Sequence, residues 1–311
     1  MLRTLLILLL LYASQLCAGQ LSFSNLNGEI HVSWRQGQEV HQATYRLEKD
    51  TLPPLLIFSP ERFRRDVLQA LLQQSAAKWP DVQFRTLGSG ELQMLARTPT
   101  RAKEARDWIE QTRPAIEQEW LTRYYFQYFT TPDGQQAIKQ DHVRIALESR
   151  PALATLAEQL KQNGGSDEEA RRKTVEAVLD FVQDIPYARL DNNGIRGGRG
   201  FLSPRQVLSE NRGDCDSKVT LMAAILGQLY PELGQVMVFI PDHALLGVAL
   251  PPGVDDKKLE WEGKTYLLME PTGPAELPLG KLDRTSAVMV DSKQLQAQPV
   301  EPTATNSMAT K

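Results

Sequence analysis

The chain is organised around Asn211-Arg212-Gly213-Asp214-Cys215-Asp216-Ser217-Lys218, which leads into an apolar run at residues 219–226. The glycine favours a turn, and the apolar run predicts a buried helix that begins near Cys215. The first N–H groups of a helix have no partner inside it, and the helix dipole favours negative charge at that end. We therefore expect the thiolate form of Cys215 to be stabilised at this position.

Residues 1–19 have the pattern of a secretory signal peptide. Arg3 gives a positive start, residues 5–13 are apolar, and small residues precede Gln20. The pattern predicts export, to the periplasm in a bacterium or otherwise to the extracellular space. The alternative is an uncleaved membrane anchor, for which the apolar stretch is short. Cleavage would remove Cys17 and leave Cys215 as the one remaining cysteine, without an internal disulfide partner. Such a thiol is either buried and inert or has a chemical role.

Composition and local patterns divide the chain into four parts. With 311 residues, of which 41% are hydrophobic, the chain has the composition of a globular protein. Its net charge of −3 does not favour binding to nucleic acid. We predict a signal peptide at 1–19, an N-terminal α+β module at 20–131, a second domain at 132–292 and a disordered tail at 293–311. The tail is polar and rich in Pro, Thr and Gln, so it has little to bury. After cleavage we expect no membrane span.

Two further residues are candidates for chemistry with the thiol. Short apolar runs predict strands at 236–240, 244–250 and 265–270, and a fourth at 287–290. His243 opens the second strand and Glu270 ends the third. A thiol that attacks an acyl carbon needs a base, and an imidazole base needs a carboxylate or amide to hold its ring. Neighbouring antiparallel strands can supply both, although the spacing alone does not require it.

The segment from about residue 180 to 274 resembles the transglutaminase-like superfamily, a branch of the papain-like cysteine enzymes. The matching pieces are Phe181-Val182-Gln183-Asp184-Ile185-Pro186-Tyr187, Leu202-Ser203-Pro204, Gly213-Asp214-Cys215-Asp216, Asp242-His243-Ala244 and Tyr266-Leu267-Leu268-Met269-Glu270-Pro271-Thr272. The resemblance implies an α+β fold with a papain-like core, in which the nucleophile helix packs on an antiparallel sheet.

The resemblance also implies roles for individual residues. Cys215 is the nucleophile, His243 the base and Glu270 the acid that orients the base. The family usually has Asp in the third position, so Asp242 is the alternative orienting residue. The backbone N–H of Cys215 and, by its place in the pattern, Tyr187 are the candidates for the oxyanion hole.

These observations predict an exported cysteine hydrolase, a protease or amidase that acts on a protein or peptide substrate, such as one of the cell envelope, through a thioester. The alternatives are an acyltransferase that cross-links proteins with the same triad, and a binding or scaffold protein that retains the fold without turnover. No cofactor is expected. A metal site at Cys215, His243 and Asp216 is disfavoured because no CxxC or HxxxH pair supports it.

Three other features are predicted to be structural. We assign His142 a structural or surface role, because neither a nucleophile nor metal-ligand spacing surrounds it. The aromatic residues within 124–129 are expected to pack in the core, with a substrate-lining role as the alternative. The sequence Asp191-Asn192-Asn193-Gly194 predicts a turn and lacks the ligand pattern of a calcium loop.

Overall fold

The computed structural model describes residues 19–36, 38–47, 49, 52–86, 92–131, 134–163, 167–190, 200–273 and 275–301. The signal peptide up to residue 18, the predicted turn at 191–194 and residues 302–311 lie outside the described part. In chain order the elements are β1 (Gly19–Leu26), β2 (Glu29–Gln36), β3 (Glu39–Arg46), α1 (Pro60–Lys78), β4 (Gln83–Thr86), β5 (Leu92–Leu95), α2 (Pro99–Arg123), β6 (Phe126–Thr130), β7 (Gln136–Gln140), α3 (His142–Ser149), a 3-10 turn (Arg150–Leu153), α4 (Ala154–Leu160), α5 (Asp167–Asp184), α6 (Pro204–Glu210), α7 (Cys215–Leu229), β8 (Gln235–Ile240), β9 (His243–Val248), β10 (Lys258–Trp261), β11 (Lys264–Met269), α8 (Arg284–Asp291) and β12 (Gln296–Pro299).

Helix α7 is the centre of the fold. Every residue from 217 to 227 is buried. The helix packs against α3, α4, α5, α6 and strand β9. A helix that is apolar on all sides must be covered on all sides, and the neighbouring elements satisfy that requirement. The helix predicted from residues 215–229 is therefore present, and it occupies the core.

A five-stranded antiparallel sheet lies beside α7, with the strand order β10-β11-β9-β8-β12. The face that carries Met237 and Leu246 joins the α7 core. The opposite face, with Val238 and Leu268, packs with Val290 of α8. Because both faces are covered, the central strands are continuous apolar runs rather than alternating ones. The fold is therefore α+β with an antiparallel sheet against the central helix.

The N-terminal part contributes to more than one core. Strands β1, β2 and β3 form a separate antiparallel sheet. Ile30, Val32 and Trp34 of this sheet belong to the same apolar cluster as α7. Helices α1 and α2 form a second cluster, which includes Trp120 and Phe126. Hydrophobic contacts thus cross the predicted boundary at residues 131 and 132, and Phe126 packs in the core.

Two local predictions need correction. Residues 287–290 lie in helix α8, which Asp283 caps through the N–H groups of Thr285 and Ser286, and do not form a strand. The predicted tail contains β12, which pairs with β8 from Gln296↔Phe239 to Pro299↔Val236. Backbone hydrogen bonds to the open edge of β8 order this polar segment, and its side chains are partly buried.

Within the described residues, no helix combines the length and apolar character needed to span a membrane.

Candidate functional site

A capped turn places Cys215 at the first position of α7. Asp214 has extended backbone geometry, and its carboxylate accepts the N–H of Ser217 at 3.1 Å. The preceding Gly213 lies alongside Tyr187 in a parallel β-bridge. Its N–H donates to the carbonyl of Pro186 at 3.2 Å. The turn is therefore held both by the helix cap and by the segment that follows α5.

The thiol of Cys215 is partly buried and is hydrogen-bonded to the carboxylate of Asp216. Sγ donates to Oδ1 of Asp216 at 3.4 Å. Burial, followed by the negative charges of Asp216 and Asp214, raises the pKa of Cys215 well above its ordinary value. The expected stabilisation of the thiolate by the helix N-terminus is thus outweighed in the resting protein. The thiol of Cys215 is therefore protonated at neutral pH.

His243 and Glu270 come together at the end of the five-stranded sheet. His243 opens β9 after a two-residue turn, and Glu270 follows β11, the neighbouring strand. Nε2 of His243 lies 3.8 Å from Oε2 of Glu270. This is an ion-pair distance and longer than a hydrogen bond. The buried carboxylate is also held by the backbone N–H of Asp283, which donates to Oε1 at 3.2 Å.

Two cavities meet at the thiol. The first has a volume of about 750 Å³ and is lined by Cys215, His243 and Asp242 together with the aromatic residues Phe129 and Phe239. The second has a volume of about 380 Å³ and lies on the side of the segment after α5. Cys215 and Asp242 line both cavities. A substrate that occupied both would therefore pass over the sulfur.

The two remaining predicted residues lie beside the thiol in different ways. Asp242 occupies the β8–β9 turn in a left-handed conformation, with φ of 60°. Asp242 lines both cavities, and His243 forms its ion pair, at 3.8 Å, with Glu270. Tyr187 is 46% exposed and lines the second cavity with Cys215. Four of the predicted residues, Cys215, His243, Asp242 and Tyr187, therefore line one or both cavities, and Glu270 lies 3.8 Å from the imidazole of His243.

Lys218 is a site residue that the sequence reasoning missed. It lies on α7 one turn after Cys215, and its side chain is fully buried. Its ammonium donates to the carbonyls of Gln183, at 3.2 Å, Ile185, at 2.7 Å, and Thr272. Burial lowers its pKa to about 7. Lys218 therefore joins helix α7 to the chain just after Glu270. A lysine immediately before an apolar run is the sequence signal that could have indicated it.

His142 is also closer to the site than the sequence indicated. It is buried against the rings of Phe201 and Phe239, and burial lowers its pKa to about 4. Its Nε2 lies 3.8 Å from Oδ2 of Asp216. The other carboxylate oxygen of Asp216 accepts the hydrogen bond from the Cys215 thiol. The imidazole is neutral at pH 7. No spacing motif connects residue 142 with residue 215, so sequence reasoning had no signal for this contact.

The described residues contain no group of three or more His, Cys, Asp or Glu side chains that could hold a metal ion. Comparisons of the chain with protein-family models, with curated proteins and with solved structures find no match. The site must be interpreted from its own geometry.

Proposed function

We propose that this protein is a thiol-dependent acyl-transfer enzyme with a papain-like core, and that its main reaction is hydrolysis of a peptide or amide bond in an exported compartment. One observation carries the proposal: Cys215 and His243 line the same cavity, and Glu270 lies behind the imidazole at 3.8 Å. Export is supported by residues 1–19 of the sequence. The substrate class is a protein or peptide.

The first half of the reaction forms a thioester. Because Nε2 of His243 faces Glu270, Nδ1 is the nitrogen that accepts the thiol proton. The sulfur attacks the acyl carbon, and the carbonyl π electrons move to oxygen. The carbon–nitrogen bond then breaks as the imidazolium returns the proton to the leaving amine. The negatively charged Glu270 stabilises the imidazolium between these two steps.

The oxyanion is stabilised by groups at the start of α7. The backbone N–H of Cys215 is among the helix donors that have no partner inside the helix. The hydroxyl of Tyr187, which reaches the cavity on the far side of the thiol, is the proposed second donor. In the second half of the reaction His243 takes a proton from water. The hydroxide adds to the thioester, the carbon–sulfur bond breaks, and the thiol recovers its proton from the imidazolium.

Transamidation is the second candidate reaction. The second cavity is lined by the carboxyl groups of Asp214, Asp216 and Asp242 beside the thiol. A cationic amine would be concentrated there and could replace water as the acceptor of the acyl group. Adding a primary amine during turnover distinguishes the two reactions, since transamidation consumes the amine and hydrolysis does not.

The proposal is tested by acylation of Cys215 with p-nitrophenyl acetate. We expect a burst of p-nitrophenol and an acetyl group on Cys215 in the mass spectrum, both absent in Cys215→Ser. Glu270→Gln should lower the acylation rate about 10²-fold, because the imidazolium loses its counter-charge. Asp242→Asn is the matched control, with the same chemical change at the alternative orienting residue, and should retain most of the rate. An unacetylated Cys215, or a larger loss in Asp242→Asn than in Glu270→Gln, would contradict this assignment.

A further inference from the structure

The first cavity contains a positive charge that the proposed reaction does not use. Its wall on one side consists of the aromatic rings of Phe129 and Phe239, and Lys139 of β7 lies among them. The Lys139 ammonium is 3.3 Å from the centre of the Phe239 ring and 5.4 Å from that of Phe129. Aromatic faces attract a cation without neutralising its charge.

Lys139 is a partly desolvated cation with no counter-ion at contact distance. Over the described ranges of the chain, Lys139 forms no salt bridge, and its nearest negative charges are Asp216 and Asp141. Asp216 is engaged elsewhere, since its two oxygens face the thiol of Cys215 and the imidazole of His142. Burial lowers the pKa of Lys139 to about 8, so the side chain is still mostly charged at pH 7. An anion that entered the cavity would meet a cation that has no ion pair at contact distance, in a cavity that Asp216 and Asp242 also line.

We propose that Lys139 is a specificity-determining residue that binds a carboxylate of the substrate, next to the bond that Cys215 attacks. This inference rests on the proposed function, because the same cavity must admit the acyl group. The substrate class is then a peptide or amide with an acidic side chain or a terminal carboxylate near the reacting carbonyl. The apolar wall around Lys139 would contact the carbon atoms between the carboxylate and that carbonyl.

The two small alkylating reagents iodoacetate and iodoacetamide test this directly. Both react when sulfur attacks the methylene carbon, a carbon–sulfur bond forms and iodide leaves with the bonding electrons. They differ in that only iodoacetate carries a carboxylate. The rate of Cys215 modification by iodoacetate is divided by the rate with iodoacetamide, in the folded protein at pH 7 and in the urea-unfolded protein. The folded ratio divided by the unfolded ratio is a corrected ratio, which measures the preference of the cavity for a carboxylate.

We expect this corrected ratio to favour iodoacetate about tenfold, since a charge-assisted contact in a partly desolvated site has this order of magnitude. Lys139→Met should bring the ratio to about one, and Lys139→Arg should retain the preference. Lys293→Met is the matched control: it removes the same charge from an exposed residue that lines the same cavity. It should keep most of the preference.

The outcomes separate the two proposals. If p-nitrophenyl acetate acetylates Cys215 but the thiol shows no preference for iodoacetate, the role of Lys139 is refuted and the reactive thiol stands. The same holds if Lys139→Met keeps the wild-type ratio, or if Lys293→Met loses as much preference as Lys139→Met. If p-nitrophenyl acetate does not acetylate Cys215, the proposed function itself fails, whatever the ratio of the two alkylation rates.

Discussion

Gly273 is the position where a single methyl group should disturb both stability and the site. Its φ is +59°, and a Cβ at this position would lie inside van der Waals contact of the Gln183 carbonyl oxygen and 3.1 Å from its carbonyl carbon. The adjacent carbonyl of Thr272 accepts the ammonium of Lys218. Side-chain Nε2 of Gln183 donates to the carbonyl of Glu270 at 2.8 Å. Gly273 thus lies within the contacts that join the segment after Glu270 to helix α7.

The expected cost of Gly273→Ala has two parts. An L residue in the left-handed region loses about 1–2 kcal/mol relative to glycine. Moving the loop away from the Gln183 backbone adds about 1–3 kcal/mol, the usual range for overpacking. The free energy of unfolding should therefore fall by about 2–5 kcal/mol. Acylation of Cys215 should slow as well, because the loop that moves begins next to Glu270.

Gly263→Ala is the control for this prediction. Gly263 has a φ of +77°, and nothing lies within 4 Å of its Cβ position. This substitution should cost only the backbone part, about 1–2 kcal/mol, and leave acylation unchanged. Urea unfolding at equilibrium gives both free energies. Equal losses of stability in the two variants would refute the close approach at Gly273, and an unchanged acylation rate in Gly273→Ala would refute its link to Glu270.

Two further predictions concern groups that the site depends on. The pKa of His142 is lowered by burial from 6.5 to about 4, so the unfolded chain binds more protons between these values. Stability should therefore fall by about 3 kcal/mol as the pH drops from 6.5 to 4. In His142→Phe this pH dependence should be lost, as measured by urea unfolding across that range. If the variant and the wild type show the same dependence of stability on pH, the imidazole of His142 is exposed to solvent and the prediction is wrong. Asp283→Ala removes the cap of α8 and should cost about 0.5–2 kcal/mol. Burial opposes ionisation of Asp283, but hydrogen bonds, first that from the Ser286 side chain, lower its pKa to about 2. The contribution of the Asp283 cap to stability should be complete above pH 3.8 and disappear as the pH falls towards 2. If Asp283→Ala has the same free energy of unfolding as the wild type at pH 7, this prediction is wrong.

The local patterns of the chain were sufficient to predict the elements that carry the candidate site. The apolar run after Cys215 can only be stable when covered on all sides, and α7 is indeed the buried centre of the fold. The short apolar runs that contain residues 236–240 and 244–248 form neighbouring strands of one sheet. Periodicity and burial are properties of a few consecutive residues, and for this reason they can be predicted without knowledge of the partners.

Tertiary structure decided what surrounds the thiol. Lys139 and His142 approach Cys215 from β7 and α3, far away in the sequence, and no motif announces either contact. The formation of strand β12 likewise depends on its pairing with the open edge of β8 and could not be predicted from its own polar sequence.

The protonation state of Cys215 also depends both on a local feature of the sequence and on tertiary contacts. A helix N-terminus is a local feature and predicts a thiolate, whereas burial and the charges of neighbouring carboxylates act through space and raise the pKa. Residue order therefore placed Cys215, His243 and Glu270, the residues of the proposed triad, at the ends of α7, β9 and β11. Packing set the charge of the thiol, because the electrostatic energy of an ionisable group depends on every charge and every apolar atom around it.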